Sequence, residues 1–265
     1  MASKVAIVRL GNDIEGSVKQ AIDLIGGIDD INVRQRQVVV KPGIFDHRRK
    51  NYPTVKVIDA IVRRFGKAQK IFLAESDNYR GTGSERLKVY EKLFSRKVVP
   101  FNLSEDLDVS EMQIAGEKMA LSHILFKPNV IVSVHVPRSF EKGAVLKNLF
   151  GFVPDRKKLR FHKKLSDVIL DIYGAIGGID LAVLDGTVIY PSPSSSKGRK
   201  ADLFLVGRDA VAVETIGAKL AGLDPSAMDI IQKASKRGFG EGNIRRIEVV
   251  GSDLSEIEED IIKRK

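Results

Sequence analysis

The sequence contains no cysteine and no tryptophan among its 265 residues. Without thiols the chain cannot form disulfides, cysteine-ligated zinc or iron–sulfur sites, or a cysteine nucleophile. Its longest apolar runs, such as residues 130–134, fall far short of the ~20 residues of a membrane-spanning helix. Residues 1–4 show no signal-peptide pattern. We therefore expect a cytoplasmic protein that holds no iron–sulfur cluster and has no membrane partner.

The overall composition is that of a globular protein. Hydrophobic residues make up 43% of the chain and charged residues 29%, which argues against disorder. This length is sufficient for one large domain or two small ones, and we expect residues 1–265 to form a single domain. The lack of cysteine and tryptophan, with four methionines and abundant charged side chains, is also typical of heat-adapted proteins.

The chain is basic, with 44 lysines and arginines against 34 acidic residues and a formal net charge of +10. Residues 34–50 contain six basic residues and one acid, and residues 138–164 contain nine basic residues and two acids. A positive field confined to two segments favours an anionic partner. That partner is either a small molecule bearing phosphate or carboxylate, or a nucleic acid on whose bases Phe161 and His162 could stack. A solvated surface, or an accessory role toward another protein, would also account for the charge.

Short β-rich runs alternate with segments of helical period, which predicts an α/β fold. We expect a mostly parallel sheet flanked by helices, built as one unit or as two intertwined lobes. The predicted strands are 5–9, 37–41, 70–75, 130–134, 181–185, 203–206 and 247–250. The predicted helices are 54–65, 84–94, 209–221 and 224–238. Residues 190–198, rich in serine and proline, predict a flexible loop, and residues 253–265 predict a charged C-terminal tail.

Polar side chains stand at the ends of four predicted strands, namely Lys41, Glu75, His135 and Asp185. Because the carboxyl ends of parallel strands meet at one edge of a sheet, ligands of such folds bind there. A cation, an imidazole and two carboxylates at this edge predict a polar site. The structural alternatives are that Asp185 serves only a turn and that Glu75 only caps a helix.

Lys147 and Asn148 extend this predicted site from within the second basic segment. They follow small residues, which let the backbone approach a ligand closely while an ammonium and a carboxamide reach it. We predict that Lys41 and Lys147 bind one phosphate or carboxylate group between them. A divalent metal on the carboxylates of Glu75 and Asp185 is a weaker alternative, and no other cofactor is predicted.

No motif in the chain specifies a reaction. The sequence has no P-loop, no dinucleotide-binding fingerprint, no G-x-S-x-G turn and no H-E-x-x-H pair. It also has no zinc finger and none of the motifs of the common RNA-binding domains. An ATPase, a dinucleotide-dependent dehydrogenase and a serine hydrolase are therefore not supported.

Several motifs occur in a fixed order between residues 38 and 240. They are Val39-Val40-Lys41-Pro42-Gly43, Pro53-Thr54, Leu73-Ala74-Glu75-Ser76, Val130 to Pro137, Ala144 to Gly151, Leu184-Asp185-Gly186 and Asp209 to Val213. In this order they resemble the domain of unknown function 362 family of microbial proteins, and the Lys-Asn-Leu-Phe-Gly string at 147–151 is the most specific of them. The resemblance implies an α/β fold and a candidate site, but no reaction.

The chain also departs from that family. Gly43 stands where asparagine is usual, Arg138-Ser139-Phe140 where Lys-Thr-His is frequent, and Glu214 where aspartate is usual. The Ser/Pro-rich loop replaces the Glu-Gly-x-Gly-Pro of relatives. Many relatives carry a ferredoxin-like cluster domain, for which this sequence has no cysteines. The resemblance is thus to a stand-alone form without that domain.

Overall fold

The computed structural model describes residues 3–263. Its strands are β1 (Ser3–Arg9), β2 (Val38–Pro42), β3 (Ile71–Glu75), β4 (Val98–Asn102), β5 (Val109–Ile114), β6 (Glu117–Ser122), β7 (Val130–His135), β8 (Leu181–Ile189), β9 (Arg199–Gly207) and β10 (Ile247–Gly251). Its α-helices are α1 (Ile14–Leu24), α2 (Val55–Arg64), α3 (Gly83–Leu87), α4 (Leu165–Ala175), α5 (Ala210–Leu220), α6 (Asp229–Lys236) and α7 (Leu254–Lys263). Short 3₁₀ helices connect several of them.

Eight of the described strands form one sheet in the order β10-β1-β9-β8-β7-β2-β3-β4. In this sheet β9 pairs antiparallel with both β1 and β8, and all the other neighbours pair in parallel. The predicted α/β fold with a mostly parallel, helix-flanked sheet is confirmed, and all seven predicted strands belong to it. Strands from both halves of the chain join the same sheet.

Three strands were not expected from the sequence. β4 contains Pro100, which a strand tolerates at the edge of a sheet, where β4 lies. β5 and β6 form a separate antiparallel hairpin. Its turn uses positive φ angles of 49° at Ala115 and 80° at Gly116. The two hairpin strands are short and carry many polar side chains, so hydrophobicity gave no clear signal for them.

Alternate residues of the strands face two different helical layers. In β2, Val38 and Val40 pack in a core with residues of α1 and α2. Val39, between them, packs in a second core with residues of α4 to α7. This alternation follows from the two-residue period of a strand. Because helices cover both faces, the sheet leaves only its strand ends available for binding.

The helices follow their predicted capping signals with two exceptions. α2 begins after Thr54, whose hydroxyl accepts a hydrogen bond from Val57 N at 3.3 Å. α5 also matches its prediction. The helix predicted over 84–94 is instead α3 followed by a 3₁₀ helix, Lys88–Leu93. The helix predicted over 224–238 divides into a 3₁₀ turn, Pro225–Ala227, and α6.

The predicted charged tail forms α7, which buries Ile257 and Ile261 against the core. Residues 264–265 of that tail lie outside the described residues. The Ser/Pro-rich loop, residues 190–198, connects β8 to the antiparallel β9. No helix within residues 3–263 has the length and apolar character needed to span a membrane.

Candidate functional site

A cleft of about 1020 Å³ opens at the carboxyl ends of β2, β3 and β7. β2 and β7 are neighbours, and the chain then proceeds outward from them in opposite directions, to β3 and β4 on one side and to β8 and β9 on the other. In parallel sheets such a reversal leaves a crevice in which ligands bind. The 3₁₀ helices Lys147–Phe152 and Leu159–Lys164 contribute residues to the walls of the cleft.

At the floor of the cleft, Lys41 and Arg86 hold the carboxylate of Glu75 between them. Lys41 Nζ lies 2.9 Å from Glu75 Oε1, and Arg86 Nη1 lies 3.0 Å from Glu75 Oε2. All three side chains are at least 98% buried. Burial alone would raise the pKa of Glu75, but Arg86 and Lys41, with Lys158, hold that pKa below its ordinary value. The carboxylate is therefore ionised, and the cluster retains a net positive charge.

Lys41 and Asn148 are joined to each other and to the surrounding backbone. Lys41 Nζ donates to Pro42 O at 3.0 Å and to Asn148 Oδ1 at 3.2 Å. Asn148 Nδ2 donates in return to Lys41 O at 2.7 Å and to Ser133 Oγ at 3.0 Å. With Glu75, the ammonium of Lys41 thus has three acceptors. Its charge adds to the field of the cleft, but its hydrogen-bonding capacity is already used by the protein.

His135 forms a second buried group with Arg138 and Asn51. His135 Nδ1 lies 2.8 Å from Val136 O, to which it donates, and Nε2 accepts from Arg138 Nη1 at 3.1 Å. Burial, together with the charge of Arg138, keeps the pKa of His135 well below its ordinary value, so the ring is neutral. Arg138 donates its other hydrogen bonds to Asn51 Oδ1 and Asn51 O, at 2.9 to 3.1 Å.

Lys147 is a partly buried cation that faces the cleft without an anionic partner. Within residues 3–263 its ammonium makes no hydrogen bond or ion pair, and it lies 5.8 Å from the centre of the Phe140 ring. Burial, with the nearby charges of Arg138 and Lys41, lowers the pKa of Lys147 to about 8. Such a group is the natural point of contact for an anion.

The loop that presents Lys147 is held by Glu214 of α5. Glu214 Oε1 accepts a hydrogen bond from Ala144 N at 2.7 Å, and Oε2 accepts one from Leu146 N at 2.8 Å. The same carboxylate packs against Gly143, whose φ of +93° favours glycine. Burial raises the pKa of Glu214, and these backbone hydrogen bonds oppose that rise. Glu214 therefore positions the loop and does not face the ligand space.

Lys158 lines the cleft beside the Lys41–Glu75–Arg86 cluster. Its Nζ lies 2.6 Å from Ser76 Oγ and 5.9 Å from the centre of the Phe150 ring. Burial lowers the pKa of Lys158 to about 7. Glu75 opposes this shift, and the nearby charges of Arg86 and Lys41 offset part of that opposition. At neutral pH, Lys158 is consequently a neutral amine in a substantial fraction of the molecules.

Asp185 does not line the cleft. β8 continues past it to Ile189, with an irregularity between Gly186 and Val188, so the predicted strand end at 185 is wrong. Asp185 Oδ2 accepts from Thr54 N at 2.6 Å, and Oδ1 accepts from the hydroxyl of Thr187 at 2.6 Å. Asp185 therefore anchors the start of α2. Residues 3–263 contain no group of three or more histidines and carboxylates placed to hold a metal ion.

Five of the six predicted site residues line one cleft, namely Lys41, Glu75, His135, Lys147 and Asn148. The prediction did not include Arg86, Arg138 and Lys158 as site residues. Arg138 and Lys158 lie in the second basic segment, so their charge was visible but not their position. Nothing in the sequence singled out Arg86, which reaches the cleft from α3.

The cleft carries a strong positive charge, and most of its lining surface is apolar. Among the described residues that line it, nine are lysine or arginine and one, Glu75, is a carboxylate. Arg156 and Lys157 stand exposed at its rim. Phe140 and Phe150 are among the apolar residues of its walls. The arrangement is suited to an anionic ligand that also has an apolar part.

Comparison with known proteins identifies a family. The model of a family described as a domain of unknown function (DUF362) matches residues 38–219. No curated protein and no solved structure matches the chain. The matched range contains every residue of the cleft discussed above.

Proposed function

The chain belongs to the DUF362 family, whose description names no activity. We therefore propose, from the chemistry of the cleft, that the protein binds a small molecule bearing a phosphate or carboxylate group. The observation that carries this proposal is the imbalance of charge in the cleft. Nine lysine or arginine side chains line it, and the single carboxylate among its described lining residues is already neutralised by Lys41 and Arg86. A buried surplus of positive charge is stabilised by an anion.

Lys147 makes the direct contact with the anionic group in this proposal. Its ammonium is partly buried, lies in the cleft and has no partner within residues 3–263. A hydrogen bond between an ammonium and an anion is worth on the order of 1.5–3 kcal/mol. Lys41 contributes mainly through its charge and by positioning Asn148 and Glu75, because its three acceptors are already in place.

The ligand also has an apolar or aromatic portion. The cleft, at about 1020 Å³, is much larger than a phosphate or carboxylate group. Its walls include the rings of Phe45, Tyr79, Phe140 and Phe150. Pockets of this kind bury the apolar body of a ligand while a few polar groups fix its orientation.

Nucleic-acid binding is the less favoured alternative, because several cations of the two basic segments are buried or already paired. In segment 34–50, Lys41 is buried, and Arg36 lies near the amino end of β2, where it contacts Asp180 and Pro128. In segment 138–164, Arg138 is buried beside Asn51. These cations are therefore not available to a polynucleotide backbone.

A binding screen tests the proposal. We would measure the thermal unfolding of the protein with aromatic and aliphatic phosphates and carboxylates, and then titrate the best compound by calorimetry. Lys147→Met is expected to weaken binding roughly tenfold or more, as follows from the loss of one charged hydrogen bond. Lys88→Met, which removes an exposed lysine outside the cleft, is the matched control and should bind like the wild type.

Two results would overturn the proposal. One is equal binding by the wild type and Lys147→Met. The other is tight, salt-dependent binding of a mixed-sequence RNA or DNA with no response to small anions, which would instead favour the alternative. Simultaneous replacement of Lys157, Lys158, Lys163 and Lys164 by alanine should then abolish that binding.

A further inference from the structure

The hydrogen bonds of Lys158 leave one position of its nitrogen open to the cleft. Nζ lies 2.6 Å from Ser76 Oγ and 3.5 Å from Phe150 O. Ser76 Oγ itself donates its hydrogen to Gly151 O, at 2.6 Å. Both partners of Lys158 therefore act as acceptors. A neutral amine has two hydrogens and one lone pair, so donation to these two acceptors leaves its lone pair free.

The charged groups around Lys158 favour this neutral form. Burial has the largest effect on its pKa, and Arg86 from α3 and Lys41 from β2 add to it. Glu75 from β3 and Asp155 oppose it. The resulting pKa of about 7 compares with an ordinary value of 10.5. At pH 7 the fraction of free amine is therefore about a thousandfold greater than for an ordinary exposed lysine.

We infer that Lys158 is a nucleophilic amine that condenses with the carbonyl group of an anionic aldehyde or ketone bound in the cleft. A lysine desolvated next to other cations is a recognised form of activated amine. This inference rests on the proposed binding of an anion, because Lys147 and the rim cations would hold the acidic group of the same molecule. It adds a covalent step and a class of substrate.

The covalent step is a simple condensation. The lone pair of Nζ forms a bond to the carbonyl carbon, and the carbonyl oxygen takes up a proton to give a carbinolamine. The hydroxyl group then leaves as water, with both hydrogens of the amine accounted for in that water and one carbon–nitrogen double bond formed. No oxidant or reductant is required. Once protonated, the imine withdraws electrons from the adjacent carbon, as in other lysine-dependent reactions.

The test uses pyridoxal 5′-phosphate, an aromatic aldehyde that bears a phosphate. The full-length protein would be incubated with a limiting amount of it, treated with cyanoborohydride to reduce any imine, and mapped by peptide mass spectrometry. We expect modification at Lys158 at least tenfold above that at Lys157, the adjacent and exposed lysine of the same segment. The rate of modification at Lys158 should rise to its half-maximum near pH 7.

Two further measurements separate this inference from the proposed function. Pyridoxine 5′-phosphate has an alcohol in place of the aldehyde, so it can bind but cannot form an imine. Lys158→Arg replaces the amine by a guanidinium, which forms no imine under these conditions, so it should lose the covalent label. If the alcohol binds and Lys158 is labelled no more than Lys157, the covalent inference fails and anion binding stands. If neither compound binds, both fail. The comparison of labelling at Lys158 and Lys157 uses the wild-type protein, so it remains valid even if a variant does not fold.

Discussion

The imidazole of His135 lies directly against Gly43, so closely that a Cβ on Gly43 would be 2.0 Å from His135 Cδ2. The ring is fixed in place by Val136 O on one side and Arg138 on the other. Gly43 is fixed as well, because its N–H donates to Val134 O at 2.8 Å. The glycine at this position is thus required by the neighbouring histidine.

Gly43→Ala should destabilise the protein by about 1–3 kcal/mol, the usual cost of forcing an extra group into a packed interior. Urea unfolding would measure it. In a background of His135→Ala the same substitution should cost much less, because the ring is gone and the two changes are coupled. Gly11→Ala, where a Cβ meets nothing within 4 Å, is the control. Equal costs in both backgrounds would contradict the close contact.

Glu75→Gln should destabilise the protein strongly at pH 7, by about 3–5 kcal/mol, since it leaves the buried charges of Lys41 and Arg86 without their carboxylate. The pKa of Glu75 lies below the ordinary 4.5 in the folded protein. Its contribution is therefore present above pH 4.5 and is lost as the pH falls through the lower, folded value. Urea unfolding between pH 7 and pH 3 should show a smaller acid dependence in the variant.

The matched control for this prediction is Glu91→Gln, which changes an exposed carboxylate in a 3₁₀ helix. It should unfold like the wild type at every pH. If Glu75→Gln were as stable as Glu91→Gln at pH 7, the cluster of Lys41, Glu75 and Arg86 would not stabilise the fold in the way its geometry indicates.

Part of this site could be predicted because parallel strands bring their ends together. Lys41, Glu75 and His135 follow β-rich runs directly, so identifying the strands was enough to expect them at one edge. The strand end predicted at Asp185 was wrong because β8 continues into a hairpin, beyond its hydrophobic run. The direction of β9 follows from the short connection to β8, which is too short for a parallel crossover.

The remaining site residues could not be placed from the sequence. Arg86 and Lys158 reach Glu75 only because α3 and the segment after β7 fold back over the ends of the strands. The charge of that segment was evident, but charge alone does not distinguish a solvated lysine from one that lines a cleft. Gly151 shows how closely that segment approaches the strand ends, because a Cβ there would lie 2.4 Å from Lys41 Cε.

Asn51 is expected to keep the Ser/Pro-rich loop in place. Its Nδ2 donates to Ser192 O at 2.9 Å and to Ser195 O at 2.7 Å, while its Oδ1 accepts from Arg138. Asn51→Ala removes all of these hydrogen bonds, so trypsin should cleave after Lys197 several times faster than in the wild type. Time-resolved proteolysis with mass spectrometry would measure the rate.

Ser194→Ala is the control for this loop prediction. Among the described residues, Ser194 Oγ forms a hydrogen bond only with Ser192 Oγ, at 3.2 Å, so its removal should leave the cleavage rate unchanged. Equal rates in Asn51→Ala and the wild type would mean that the loop is held by its own turns and not by its hydrogen bonds to Asn51.

The affinity for an anion should fall as the pH rises through about 8, the pKa to which burial lowers Lys147. An anion binds the charged form of Lys147, so above that pH binding must also take up a proton, and affinity drops by up to about tenfold per pH unit. Calorimetric titration with sulfate, which stays doubly charged throughout, would measure this dependence. Lys147→Arg keeps its charge at every pH tested, so its affinity should not change near pH 8. A wild type and a Lys147→Arg variant with the same pH profile would show that Lys147 does not contact the anion.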